Sequence, residues 1–148
     1  PTYDGAEPSG NALVACGLVR LAEITGDEAY RRRAAGAVRA LGPLLEKAPH
    51  AAPKALCALD RLLEAGRQVI VVTPDPQRPA EMLASAAQVF APDATLLFGP
   101  ADGPLAKAVP AFADRVAQGG ASTAYVCIGT RCDLPTTSPK ALADRLRR

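Results

Sequence analysis

Apolar residues recur along this chain at two different periods, and the change falls near residue 67. In the first part, Leu13, Val14, Leu18, Leu21 and Ile24 stand mostly three or four apart, which predicts a helix from the loop Glu7-Pro8-Ser9-Gly10-Asn11 to about Thr25. Gly26 suits the left-handed residue that closes such a helix, and Asp27 suits the N-cap of the next. Thr25-Gly26-Asp27 therefore reads as a tight link between antiparallel helices. Tyr30, Ala34, Val38, Leu41 and Leu45 predict a second helix over 28–47, kinked or shortened at Gly42-Pro43 because proline lacks the amide donor. A third helix follows the Pro49-His50 break, with Leu56, Leu59, Leu62 and Leu63 turned inward and Gly66 at its end.

Beyond residue 67 the pattern becomes that of buried strands. Gln68-Val69-Ile70-Val71-Val72 is a short, β-branched apolar run, and Ala94-Thr95-Leu96-Leu97-Phe98 and Thr123-Ala124-Tyr125-Val126-Cys127 read as a second and a third strand. Between and after them lie a predicted helix over 79–89, a short one over 105–116 interrupted by Pro110, and a last one capped by Ser138 with Pro139 in its first turn. Strand, helix, strand predicts a right-handed parallel unit. The expected architecture is mixed α/β: helical hairpins over 1–66, then a small three-stranded, largely parallel α/β unit over 67–148 that leans on the helical half.

One feature of the first helix predicts that this is the C-terminal piece of a larger protein without a complete active site of its own. Ala12, Leu13, Val14, Ala15, Cys16, Gly17, Leu18 and Val19 leave it no polar face. A helix apolar all round is normally surrounded by protein, and this one starts so near residue 1 that its cover is expected on the N-terminal side. The opening Pro1-Thr2-Tyr3-Asp4-Gly5 has neither the basic start nor the apolar block of a signal peptide.

Charge narrows the partners. Seventeen Lys and Arg against fifteen Asp and Glu give a net charge of +2, which argues against a nucleic-acid partner. The run Arg31-Arg32-Arg33 reads as a solvated helix face rather than a phosphate patch. No stretch reaches the roughly 18–20 apolar residues that span a bilayer, so no membrane partner is expected. Cys16 and Cys57 fall among apolar residues on predicted helices, a usage that fits a reducing, cytoplasmic setting.

The string Asp4-Gly5-Ala6-Glu7-Pro8-Ser9-Gly10-Asn11, followed by Leu18-Val19-Arg20-Leu21-Ala22-Glu23-Ile24-Thr25-Gly26-Asp27, resembles the thioredoxin domain-containing proteins of the spermatogenesis-associated protein 20 type. The closing Ala124-Tyr125-Val126-Cys127, with Cys132 and Pro135 downstream, is similar to the end of that family, and the likeness runs through the whole chain in order. It implies a larger protein with an N-terminal thioredoxin-like domain, an (α/α)6 barrel similar to six-hairpin glycosidases and sugar epimerases, and a small C-terminal α/β portion. This chain would be the end of the barrel plus that portion, partnered by the upstream part of its own protein and by a sugar-like small molecule. The family's reaction is not defined, so the likeness leaves open whether the protein is an enzyme.

Glu7 is then the best candidate for chemistry, with Asp4 three residues before it. In such barrels substrates sit among residues near the starts of inner helices, where a carboxylate can bind sugar hydroxyls or move a proton. The competing reading is that Glu7, Ser9 and Asn11 cap the helix. Cys127 and Cys132, with four residues between them after a strand, lack the two-residue spacing of a thioredoxin-like site. With His50 as the single histidine they lack the ligands of a structural zinc site. A structural role or a loop disulfide is favoured over redox catalysis. His50 reads as a surface residue, and Ser9 has no nucleophile-elbow context. Thr73-Pro74-Asp75-Pro76 stands where nucleotide folds place glycines, and its prolines argue against phosphate cradling. No metal or cofactor is expected.

Overall fold

The residues that the sequence offers as caps begin and end the first helix. Ser9 is extended and its hydroxyl accepts from the Ala12 N–H at 3.3 Å, while Gly26, at φ 71°, returns its N–H to the Ala22 carbonyl. The computed structural model describes residues 2–75 and 80–147 and divides into two compact units, Pro1–Ala65 and Gly66–Arg148.

The first unit holds α1 (Gly10–Thr25), α2 (Glu28–Ala40), α3 (Gly42–Lys47) and α4 (Pro53–Leu63). The predicted second helix is two, jointed at Leu41, with Pro43 in the first turn of α3 where no amide donor is required. Asp27 caps α2, its carboxylate accepting from the Ala29 N–H at 2.8 Å.

The buried face of α1 is not the leucine face. Ala12, Ala15, Val19 and Ala22 are buried, whereas Leu13, Val14 and Leu21 are exposed, and on α4 Ala55 and Ala58 are buried while Leu63 is exposed. The buried set keeps the helical spacing of three and four but lies out of phase with the expected one. Its small side chains make a flat face against which α2 and α4 both pack closely. An alanine stripe allows a closer approach of helix axes than a leucine stripe.

Within this alanine-lined packing lies an ion pair between Glu23 of α1 and Arg61 of α4, both side chains only 8% exposed. Arg31 does not stay in solvent either: its guanidinium donates to the Leu62 carbonyl at 2.6 Å, at the end of α4. At the opposite end of the helices, Asp4 accepts from the Ser9 N–H and from the Lys54 N–H, both at 2.7 Å, so one carboxylate serves the starts of α1 and α4. The Ser9 N–H is the main cause of an Asp4 pKa below the ordinary carboxylate value; partial desolvation opposes it and the Lys54 N–H adds to it.

The second unit is a sheet of β1 (Arg67–Val72), β2 (Thr95–Gly99), β3 (Thr123–Ile128) and β4 (Arg131–Cys132), in the order β2-β1-β3-β4. β1 and β2 are parallel, joined through α5 (Ala80–Ala87), as expected. β3 is antiparallel to β1, with Val69 opposite Val126 and Ile70 opposite Tyr125, so the expected three-stranded, largely parallel sheet is a four-stranded mixed one. A parallel β3 would need a crossover spanning the sheet. The link available holds the five-residue α6 (Pro104–Ala108) and single turns at Pro110–Phe112 and Gln118–Gly120, and it delivers β3 at the same end of the sheet where β2 finishes, Gly99 and Thr123 both lying beside Val72. The fourth strand escapes sequence reading because it is two residues long, formed by a hairpin through Gly129 (φ 57°) and Thr130.

Alternation along β1 divides the unit's core. Val69 and Val71 pack with Ala124, Val126, Met82 of α5, and Leu142 and Leu146 of α7 (Pro139–Leu146). Ile70 shares the other face with Tyr125, over whose ring Arg115 lies at 5.1 Å, in the segment that also buries Val109 and Phe112. Val69–Val72 of β1 and Thr123–Cys127 of β3 are thus buried on both faces, while Leu96 and Phe98 of β2 stay exposed. Arg67, the first residue of β1, clamps its base. It pairs with Asp93 at 2.6 Å and 2.9 Å and donates to the Leu146 carbonyl at 2.8 Å, closing the end of α7.

Two outcomes are expected from denaturant titration of the first unit. Glu23→Ala, which strands the buried Arg61 guanidinium, lowers its stability by about 3 kcal/mol, and a Glu23→Leu/Arg61→Met double substitution loses less than either single one. Asp4→Ala costs about 1–2 kcal/mol. The Asp4 contribution is present above the ordinary carboxylate range and fades as pH falls through its lowered pKa, so Asp4→Asn flattens the acid limb of the stability curve. An unchanged acid limb would show that this carboxylate does not hold the helix starts.

Candidate functional site

The loop preceding α1 places its two carboxylates differently. Both oxygens of Asp4 are engaged by backbone N–H groups, and the Asp4 N–H itself donates to the Ala51 carbonyl at 2.7 Å. Glu7 is exposed, and its backbone carbonyl accepts from the Gly5 N–H at 3.0 Å. Helix capping falls to Ser9. Asp4 is therefore occupied as a backbone acceptor, while the Glu7 carboxylate faces solvent.

His50 lies exposed in a 3-10 turn at Pro49–Ala51. Cys16 is half-buried and its thiol donates to the Lys54 carbonyl at 3.4 Å; burial pushes its pKa up, away from reactivity. Cys57 is exposed. Cys127 and Cys132, opposite each other on β3 and β4, are joined by a disulfide. Among the described residues no group of three or more His, Cys, Asp or Glu is arranged to hold a metal ion, and no helix is long and apolar enough to cross a membrane.

A cavity of about 510 Å³ opens at the carboxyl end of β1, in the second unit. Sheet order explains its position. The chain leaves β1 toward α5 and β2 on one side, and enters β3 from the same edge on the other, so the two loops diverge and leave a crevice. Open α/β sheets bind ligands in such a place. Thr73 and Asp75 come from the first loop, Gly120 and Ser122 from the second, Glu81 and Met82 from α5, and Thr137 and Pro139 from the start of α7.

Hydrogen bonding sets the orientation of these groups. The buried Thr73 hydroxyl donates to the Asp75 carbonyl at 2.8 Å and accepts from the Ser122 hydroxyl at 3.0 Å. The Ser122 proton is thereby committed, which leaves its oxygen lone pairs as acceptors toward the crevice. Thr123 anchors the same loop: its hydroxyl accepts from the Gln118 N–H at 2.7 Å and donates to the Ala121 carbonyl at 3.0 Å. Glu81 and Thr137 are exposed at the rim, and Pro74, Met82 and Pro139 add apolar surface. The result is a shallow site of hydroxyl and carboxylate acceptors beside small apolar patches. As a binding element, sequence reading weighed only the Thr73-Pro74-Asp75-Pro76 loop, and only against phosphate; Pro76 lies outside the described residues. The signal for the rest is the position itself, just past the carboxyl end of a buried strand.

Comparison with known proteins supports the likeness drawn from the sequence at a low level of identity. The chain is 26% identical over 139 residues to human spermatogenesis-associated protein 20, a match covering 92% of this chain and 18% of the relative. It is 28% identical over 143 residues to an uncharacterized protein of Caenorhabditis elegans, covering 95% and 19% respectively. The rat spermatogenesis-associated protein 20 matches at 26% over 140 residues. No family model and no solved structure matches the chain. Across nearly its full length, then, this chain is similar to proteins of the spermatogenesis-associated protein 20 kind, and it spans less than a fifth of their length.

Proposed function

We propose that this chain works as one segment of a larger protein similar to spermatogenesis-associated protein 20, and that it contributes ligand binding rather than bond-making chemistry. Its ligand is a small polyhydroxylated, sugar-like molecule, and the binding place is the crevice at the carboxyl end of β1. The observation that carries the reading is the oriented Thr73–Ser122 hydroxyl pair, set beside the Asp75 and Glu81 carboxylates. Vicinal hydroxyls of a sugar are donors in need of adjacent acceptors. Ser122, Thr137 and the carboxylate oxygens supply them, the Thr73 hydroxyl being filled by bonds from the Asp75 N–H and the Ser122 hydroxyl, while Pro74 and Pro139 suit the C–H faces of a pyranose ring. A barrel with glycosidase-like or epimerase-like helices upstream, as the family resemblance implies, fits a protein that handles carbohydrate.

A second reading rests on Glu7. It is the exposed carboxylate of the loop entering α1, and with Asp4 occupied it would act alone, lining a sugar pocket completed by upstream parts of the larger protein. A thioredoxin-like domain upstream, which the family resemblance implies, would make a third, non-catalytic role open to the chain, as a scaffold for that domain.

Titration of the chain with glucose, mannose and N-acetylglucosamine, followed by amide chemical shifts, separates these readings. The first expects shifts confined to Thr73–Asp75, Gly120–Ser122 and the start of α7, with millimolar affinity. Ser122→Val is then expected to weaken binding about tenfold, which corresponds to ~1.4 kcal/mol for a lost hydrogen bond. Glu7→Gln leaves that binding unchanged. Shifts centred on residues 4–10 and abolished by Glu7→Gln would move the site to the helical unit, and no shift with any of the three sugars would favour the scaffold role.

A further inference from the structure

The disulfide of the β3–β4 hairpin carries a companion that a purely structural crosslink does not need. The Arg115 guanidinium lies across it, with Nη2 3.4 Å from Cys127 Sγ and 3.2 Å from Cys132 Sγ. Its plane rests over the Tyr125 ring at 5.1 Å, and its Nε is buried with no hydrogen-bond partner. The Tyr125 hydroxyl is fixed in turn, donating to the Val116 carbonyl at 2.8 Å, next to Arg115 in sequence. A cation is thus held, partly desolvated, against two sulfurs that are neutral and weak acceptors while they are bonded to each other. Separating them produces a thiolate, which is the partner a guanidinium lacks in the oxidised state.

The two sulfurs are unequal. Cys132 is exposed on the two-residue edge strand, whereas Cys127 is 2% exposed on β3. An incoming thiolate reaches the Cys132 sulfur and not the other.

The geometry points to a thiol–disulfide exchange site in which Cys132 is the sulfur attacked, Cys127 is the leaving thiolate, and Arg115 stabilises that thiolate. The co-reactant is an external dithiol. One of its thiolates bonds to Cys132 Sγ as the Cys127–Cys132 bond breaks, and the electron pair of that bond goes to Cys127 Sγ beside Arg115. The second thiol of the reductant, losing its proton to solvent, then attacks its own sulfur in the mixed disulfide. Cys132 is expelled as a thiolate that takes up a proton. The protein disulfide is reduced and the dithiol leaves as a disulfide, two electrons having passed. The pair is the substrate of the exchange rather than its catalyst, which agrees with the absence of a two-residue spacing. The site is separate from the crevice at β1 and does not rest on the sugar-binding reading.

The test is equilibration of the 148-residue chain with mixtures of reduced and oxidised dithiothreitol at one fixed pH. Acid quench, alkylation and peptide mass analysis of the Cys127–Cys132 fragment then read the equilibrium. Arg115→Met is expected to shift it toward the disulfide by about tenfold, equivalent to roughly 30 mV for this two-electron couple. Arg115→Lys, which restores charge without the planar fork, is expected to recover part of the shift. Circular dichroism of both variants, oxidised and reduced, checks that the fold is kept. If Arg115→Met loses the fold, Arg115→Lys against the parent chain provides the comparison, with a shift in the same direction expected. In a second arm, Cys127→Ser is incubated with oxidised glutathione, and the mixed disulfide is expected on Cys132. An Arg115 series that shares one equilibrium within twofold, or a disulfide that resists dithiothreitol until the chain unfolds, overturns the proposal.

Discussion

Backbone groups left over at the ends of helices and strands must find partners, and in both units charged side chains meet that demand. A helix end leaves four N–H or four C=O groups unmatched. Asp4 takes two of the N–H groups, from separate helices, with one carboxylate. Arg31 takes a carbonyl at the end of α4, Arg67 takes carbonyls at the end of α7, and Arg145 donates to the Leu134 carbonyl in the strand-to-helix link. Asp4, Arg31 and Arg67 join places far apart in sequence, so helix termination and tertiary assembly are one event here. The small-residue packing of the first unit depends on this arrangement, since alanine faces make little apolar contact of their own and need the helices held in register.

That constraint also marks what sequence reading reaches. Caps written locally were legible: Ser9, Gly26, Asp27 and Ser138 all act where their types place them, because a cap is an agreement among neighbours along the chain. The parallel β1–β2 pair was legible for the same reason, being built from adjacent segments. The reversal of β3 was not, because it depends on which end of the strands a proline-broken link can reach. The face of α1 that packs within this chain was not singled out, since hydrophobicity ranks leucine above alanine while close helix packing ranks them the other way. Arg31 read as surface charge for want of any local sign that a carbonyl waits tens of residues away.

The candidate sites divide along the same line. Glu7 stands out in sequence because a carboxylate before a helix is a local pattern, whereas the crevice at β1 is assembled from four segments and shows only once the strand order is known. Thr73, Ser122 and Thr137 are ordinary residues in an ordinary composition. Their meaning comes from the divergence of two loops at one sheet edge.

The hairpin disulfide has a consequence in chain entropy. It closes a ring between residues only five apart in sequence, and the freedom a crosslink removes from an unfolded chain grows with the logarithm of the ring it closes. A ring this small is worth about 2 kcal/mol on that account, roughly half of what a ring of a hundred residues would give. Opening it therefore leaves most of the unit's stability to the apolar contacts beneath β1 and α7. The chain can gain or lose this bond as a local change of surface, with the fold that carries it left standing.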